Sequence, residues 1–371
     1  MKNAFEQTMI NNTPLKNRFV RSATWEGLAG KDGACTDAIR KIMVELAKGQ
    51  IGLLITSHAY VHPSGQAGFG QLGIHSNYLI PGYRKLVEQV HQLGSKIIVQ
   101  LNHGGCRSDY SLTGRPRMGP SELSVTPLDV CEKMTLEQID NCLTYFKKAA
   151  HRAFHAGFDG IQIHAAHGFL VSEFLSPYFN HRADNYGGNL KNRSRFLLNI
   201  VHSIRSHLGG QLLLSVKINS EDFLSNGFSI HDMIQTCQWL EQTGVDVIEL
   251  SGGISSKISQ YSPSRTGCSP EKLAEVYYEK AAGLLKRKVS IPVILVGGIR
   301  SFDTVNRLLR ENKADYISLC RPLIREPFLI KRWQEGDRRD AECISCNRCF
   351  GPIRKGEGIS CVLLDKKSES E

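Results

Sequence analysis

The sequence predicts an α/β fold, a (β/α)₈ TIM barrel, and two observations predict it. Short β-rich runs alternate with helical stretches, and the pair repeats eight times. On three successive runs a polar residue also closes the C-terminal end, on the parity opposite the apolar residues. A doubly wound open sheet is the competing architecture, and the number of units favours the barrel.

The β-rich runs are NRFVRSAT (17–24), IGLLITS (51–57), KIIVQLN (96–102), DGIQIH (159–164), QLLLSVKIN (211–219), VDVIELS (245–251), IPVILVG (291–297) and ADYISLC (314–320). Between them, YRKLVEQVHQLG and SRFLLNIVHSI carry apolar residues at three- and four-residue spacing, as one buried helix face requires. After the second run, Gly68-Phe-Gly70-Gln-Leu-Gly73 fits the dinucleotide-binding string. It neither directly follows a strand nor opens an evident helix, so a Rossmann reading is rejected. After the third run a long excursion, 103–134, rich in Gly, Pro and Arg, suits a loop over a barrel mouth. The helix beyond it opens on a capping box, Thr135-Leu-Glu-Gln138.

Strand parity then places side chains. Ile97, Val99 and Leu101 should face the outer helices and Ile98, Gln100 and Asn102 the axis. By the same rule Gln162 and His164 oppose Ile161 and Ile163. Leu213, Ser215, Lys217 and Asn219 oppose Leu212, Leu214, Val216 and Ile218. Gln100, His164 and Lys217 should therefore converge at the C-terminal mouth, where barrel active sites lie. The last two runs end in Gly297-Gly298-Ile-Arg300 and Cys320-Arg321. Loops after these strands are the usual phosphate site of the fold, and Ser301 can cap the next helix. A phosphorylated cofactor is the expected occupant.

His164 and His167 stand three apart in IHAAHGFL. A catalytic zinc pair normally spaces its histidines by four on a helix with a glutamate between. Here the first histidine ends a strand, the intervening residues are Ala-Ala, and no third ligand is evident.

Composition sets outer bounds. With 41% hydrophobic and 22% charged residues the chain reads as an ordinary globular protein, and no apolar run reaches membrane-spanning length. The N-terminus has no signal-peptide core, so cytoplasm is the expected compartment. The formal charge of +10 suits an anionic cofactor. Much of it is scattered or lies near the C-terminus, so neither a nucleic-acid nor a membrane partner is expected. Eleven cysteines read as thiols or metal ligands, the odd count arguing against a complete disulfide framework. Residues 1–335 are assigned to the barrel and 336–371 to a Cys-rich extension. In the extension Cys343, Cys346, Cys349 and Cys361 form a metal-type pattern, with a [4Fe–4S] cluster, zinc or free thiols as the alternatives.

These motifs in this order, from NRFVRSAT through VQLNHGG, GFDGIQIHAAHGFLVSEFLSP and NHRADNYGGNLKNRSRF to LLSVKIN and VGGIR with SLCRPLIREP, resemble the old yellow enzyme family of FMN-dependent ene-reductases and NADH:flavin oxidoreductases. The likeness covers roughly residues 1–335. The tail resembles the iron–sulfur segment of 2,4-dienoyl-CoA reductase and trimethylamine dehydrogenase. The resemblance implies FMN at the mouth, NAD(P)H as co-substrate and a small-molecule electron acceptor. A redox partner protein and a homo-oligomer are both compatible with it. Ser22, Ala23, Thr24, Trp25 and the backbone near His58 would line the flavin. Gln100 would meet its pyrimidine edge, Lys217 its N1 side, and Gly298, Cys320 and Arg321 its phosphate.

By the same resemblance His164 and His167 donate hydrogen bonds to the acceptor's oxygen, with hydride passing to an α,β-unsaturated carbonyl or similar compound. Phe169 stands where family ene-reductases carry a proton-donating tyrosine, so either another group donates the proton (water, Tyr178 or a residue of the 103–134 loop) or alkene reduction is not the main reaction. The bulk of Trp25 should narrow the substrate site. The alternatives are a barrel subunit exchanging electrons with a partner through a C-terminal cluster and, more distantly, a flavin-dependent tRNA-modifying barrel.

Overall fold

The computed structural model describes residues 2–126, 129–254, 260–266 and 276–364. The last seven residues of the predicted extension and two residues of the excursion lie outside this set. Eight parallel strands close into a barrel: β1 (Phe19–Arg21), β2 (Leu53–Tyr60), β3 (Lys96–Asn102), β4 (Gly160–Ala165), β5 (Leu213–Asn219), β6 (Val247–Ser251), β7 (Val293–Val296) and β8 (Tyr316–Leu319). The ladder runs in chain order, and β8 pairs with β1 to remove both edges.

Helices follow the strands as α1 (Asp37–Lys48), α2 (Ile80–His91), α3 (Leu136–His155), α4 (Leu190–Leu208), α5 (Ile230–Gln242), α6 (Glu279–Leu285), α7 (Phe302–Arg310) and α8 (Leu329–Gln334). The predicted caps are present. Thr135 Oγ1 accepts from Gln138 N at 3.1 Å while Gln138 Oε1 accepts from Thr135 N at 2.7 Å. Ser301 Oγ accepts from Thr304 N at 3.1 Å. Each cap satisfies a donor that the first helical turn leaves unpaired.

Strand parity divides the interior into two cores. Ile97, Val99, Leu101, Ile161, Ile163, Leu214, Val216 and Ile218 pack outward beneath the helices. Inside the barrel Val20, Leu53, Ile55, Ile98, Leu213, Val247, Ile294 and Tyr316 form a separate apolar cluster. Ile10 and Leu15, from an antiparallel hairpin (Thr8–Ile10 with Thr13–Leu15), join that cluster, so the hairpin plugs the N-terminal end. Fully buried Trp333 on α8 packs its ring against Phe19 and Phe302.

The excursion after β3 is more structured than a loop. A 3₁₀ turn (Gly105–Arg107) and a short helix (Tyr110–Thr113) lead into a three-stranded sheet. Cys106 and Cys131 are joined by a disulfide that ties the turn to this sheet. The sequence count foresaw no such bond, because pairing across 25 residues depends on the fold bringing the two cysteines together.

Past α8 the chain crosses the barrel mouth. Ala341 N donates to Arg300 O, Ile359 N donates to Glu26 O, and Ile353 packs against Gly27. No helix among the described residues is long and apolar enough to cross a membrane.

Candidate active site

At the C-terminal end the inward-facing positions turn polar. Gln100 Nε2 donates to Gln162 Oε1 at 2.7 Å, which leaves the Gln100 carbonyl oxygen for a ring N–H. Gln162 Nε2 in turn donates to Ser215 Oγ and to Glu249 Oε2 at 3.0 Å. Ser22 and Ser318 both donate to Glu249 Oε1, at 2.7 and 2.9 Å. Lys217 Nζ donates to Ser22 Oγ at 2.7 Å and lies 3.3 Å from Glu249. Every member of this network is buried, and Glu249 is completely so.

Sequence reading missed Glu249, although its parity on β6, with Val247 and Ser251 against Ile248 and Leu250, carries the same signal as Gln100. The consequence is electrostatic. Lys217 is not a lone cation but half of a buried pair, bonded also to Ser22, and Glu249 accepts further bonds from Ser22, Ser318 and Gln162.

Above this layer lies a cavity of about 280 Å³. Ser22, Ala23, Thr24, Trp25, His58, Gln100, His164, His167, Lys217 and Cys320 all line it, so ten residues expected from widely separated segments share one wall. A second cavity of about 80 Å³ adjoins it at the ends of β7 and β8. Gly298, Arg300 and Arg321 line that one, and Val296, Gly297, Cys320 and Phe350 line both. Gly297 (φ +115°) and Gly298 (φ +81°) take left-handed backbone, and a side chain on Gly297 would collide with Tyr278. Floored by the polar network and ending at paired glycines, the joined space suits a ring system with a phosphate-bearing tail.

Arg321 is held more firmly than foreseen. Its guanidinium donates to Asn347 Oδ1 at 2.7 Å, to Ser345 O at 3.1 Å and to Arg265 O at 2.7 Å. The Cys-rich segment thus anchors the arginine at the second cavity. Cys343, Cys346, Cys349 and Cys361 line one small cavity beside Arg321 and Arg325. Among the described residues no three His, Cys, Asp or Glu side chains are drawn together as metal ligands. Burial pushes the Cys343 and Cys349 thiols up, Cys349 to about 12.

On the open side His164 and His167 stand edge to face, ring centroids 5.2 Å apart. His164 ends β4 facing inward. His167 reaches the same cavity because its backbone is left-handed (φ 64°), with its N–H donated to Asn219 Oδ1 at 3.2 Å. His167 Nε2 lies 2.8 Å from Ser251 Oγ. His164 Nδ1 is buried with no hydrogen-bond partner among the described residues. Burial, reinforced by neighbouring cations including Lys217 and Arg107, pushes both imidazoles well below the usual histidine range. Both are neutral at physiological pH and so carry one donor each.

Phe169 packs against His164 (4.8 Å) and His58 (5.3 Å) and carries no hydroxyl. Tyr178, a predicted proton source, is not among the lining residues. The 103–134 segment contributes Arg107, whose guanidinium lies 5.2 Å over the Phe169 ring. Trp25 is fixed by a bond from Nε1 to Phe69 O at 3.2 Å and lies against Gly68, so its bulk forms a wall. The rejected glycine string is part of that wall's support.

Comparison with known proteins matches this architecture. The model of the NADH:flavin oxidoreductase / NADH oxidase family matches residues 3–340. An NADPH dehydrogenase of Bacillus subtilis (strain 168) is 35% identical over 332 residues, covering 88% of this chain and 93% of the relative. An NADH oxidase of Thermoanaerobacter brockii is 32% identical over 354 residues, covering 94% of this chain but 54% of the relative. A 2-naphthoyl-CoA reductase structure superposes with TM-score 0.88 at 25% identity, over 97% of this chain and 56% of that one. The chain therefore spans about half the length of some of its relatives and nearly all of others. With its barrel, its mouth and its matched length all in agreement, the chain belongs to the NADH:flavin oxidoreductase / NADH oxidase family, the old yellow enzymes.

Proposed function

We propose that this protein is an FMN-dependent oxidoreductase that takes hydride from NAD(P)H and passes it to an α,β-unsaturated carbonyl or similarly electron-poor acceptor. The observation that carries the reading is the neutral pair His164 and His167 beside one cavity, with His164 Nδ1 buried and unpartnered among the described residues. A buried polar atom without a partner is costly, so a ligand oxygen is its natural complement.

Bound FMN would supply reversible hydride transfer between the two substrates. The residues present fit it. Gln100 offers a carbonyl oxygen to a ring N–H, Lys217 offers positive charge, and Gly297, Gly298 and Arg300 frame the phosphate end. Glu249 holds Lys217 in place and offsets part of its charge. His164 and His167 donate to the acceptor oxygen. Each bond contributes on the order of 1.5–3 kcal/mol once that oxygen carries negative charge. Trp25 and Phe169 exclude water and limit acceptor size.

The absorbance spectrum of anaerobically purified protein tests this. Flavin bands bleached by NADH or NADPH and restored by an enone are expected. A colourless protein that cannot be reconstituted with FMN would sink the proposal.

A second reading rests on the four cysteines that line one cavity beside Arg321. Deprotonated, they suit a [4Fe–4S] cluster, with zinc as the alternative ion, and would route electrons to a partner protein. Iron and acid-labile sulfide in stoichiometric amount would support it, and zinc alone would replace the cluster with a structural role.

A further inference from the structure

The family's tyrosine is replaced by Phe169, so alkene reduction on this chain needs another proton source. We propose that His58 is that source: the cavity-facing imidazole that gives a proton to the acceptor's α-carbon. This rests on the acceptor reading above.

Most other proton carriers along the wall are engaged elsewhere: Lys217 with Ser22 and Glu249, Cys320 with Thr24 Oγ1 at 3.1 Å, Gln100 with Gln162 and Ser22 with Glu249. His164 and His167 hold the oxygen. Ser251 is taken by His167, Tyr278 donates its hydroxyl to Gly252 O at 2.8 Å, and Thr24 donates to Ser22 O at 2.9 Å. Trp25 Nε1 is committed to Phe69 O, and Arg107 keeps its protons at any working pH. His58, at the end of β2, lines the same cavity, and no hydrogen bond to its ring is found among the described residues. Its centroid lies 5.3 Å from the Phe169 ring and 6.3 Å from His164. The imidazole therefore packs beside the Phe169 ring, the position at which the family tyrosine would stand.

The chemistry balances. With FMN bound, hydride would reach the β-carbon, and the C=C electron pair would move toward the oxygen held by His164 and His167. A C–H bond forms at the α-carbon as the His58 N–H bond breaks, and water returns a proton to the imidazolate. Burial and the Arg107 charge hold the ring near pKa 4, so it is a neutral imidazole that donates. The same guanidinium favours the imidazolate formed. Neutral histidine acting as an electrophile is an established enzymatic device.

The test uses the FMN-loaded full chain, reduced by NAD(P)H and reoxidised in stopped flow by 2-cyclohexenone or by ferricyanide. Ferricyanide needs no proton on carbon. In His58→Phe, and equally in His58→Gln, the enone-to-ferricyanide rate ratio should fall on the order of 100-fold. His58→Phe/Phe169→Tyr should recover roughly tenfold or more of that loss. Calorimetric binding of p-hydroxybenzaldehyde, which His164 and His167 hold, should stay within about threefold of wild type in His58→Phe. An unchanged rate ratio, or phenol binding lost in parallel with rate, overturns the assignment. A wild-type flavin that NAD(P)H bleaches but no enone reoxidises overturns the acceptor reading, and this inference with it.

Discussion

The two halves of the barrel interior are built from the same strands and the same parity, two residues apart. In the N-terminal half the inward positions are Val20, Ile98, Leu213, Val247 and Tyr316, an apolar plug completed by the hairpin residues Ile10 and Leu15. Two residues on, the same strands present Ser22, Gln100, Ser215, Glu249 and Ser318, followed by Lys217 and His164. One half is closed by dispersion and water exclusion. The other is closed by a hydrogen-bonded network whose members have little value unless all are satisfied. Stability and function are therefore stacked along one axis, and a substitution's effect should depend on which layer it enters.

The contrast is broken most severely at Lys217. Lys217→Met leaves Glu249 buried without its cation and should cost about 3–5 kcal/mol in denaturant unfolding, with loss of FMN. Lys217→Met/Glu249→Leu should regain most of the stability while FMN stays weakly bound. Recovery of both would mean the polar layer serves packing alone.

In the plug, Ile98→Ala removes a fully buried side chain and should cost about 2–5 kcal/mol. FMN affinity measured in the still-folded protein should not change. If it does, the two layers are mechanically coupled.

At the mouth the effect moves from stability to ligand. His164→Ala should weaken phenolic ligands by about 10- to 100-fold, the 1.5–3 kcal/mol of one charge-assisted bond. Flavin should remain, and spectral titration measures both. Release of flavin would place His164 in the cofactor layer instead.

The last effect is seen only as a slope in pH and is absent at neutrality. His103 is buried, bonded to Ser64 Oγ and to Gly105 N, and burial pushes it from the ordinary 6.5 down to about 3. The unfolded chain binds that proton first as pH falls. Its contribution is thus complete above about pH 6.5 and is lost on acidification toward about pH 3. The slope is about 1.4 kcal/mol per pH unit. His103→Gln should flatten the acid limb of stability against pH by that amount. An identical limb in the variant would show that His103 titrates normally.

Much of this was legible in the chain itself, because alternation and periodicity are local properties. Parity on β3, β4 and β5 assigned Gln100, His164 and Lys217 to the axis, and the capping box at Thr135 marked a helix start. Glu249 was equally legible and was passed over, since a lone acid in an apolar run attracts notice only once its neighbours are known. Arg107 was not legible, for nothing in a loop's composition fixes which of its arginines turns inward. Nor was the Cys106–Cys131 bond, or the seating of the Cys-rich segment on Arg321.

By itself, then, the sequence determined the barrel, the inward parity and the identity of most mouth residues, since those follow from backbone geometry repeated every two or every 3.6 residues. Tertiary structure alone decided that Lys217 is paired, that Arg107 and His58 flank Phe169, and that residues beyond 335 hold Arg321 at the second cavity. These are contacts between segments tens to hundreds of residues apart. No local pattern encodes them; the closed ring of strands brings the segments together.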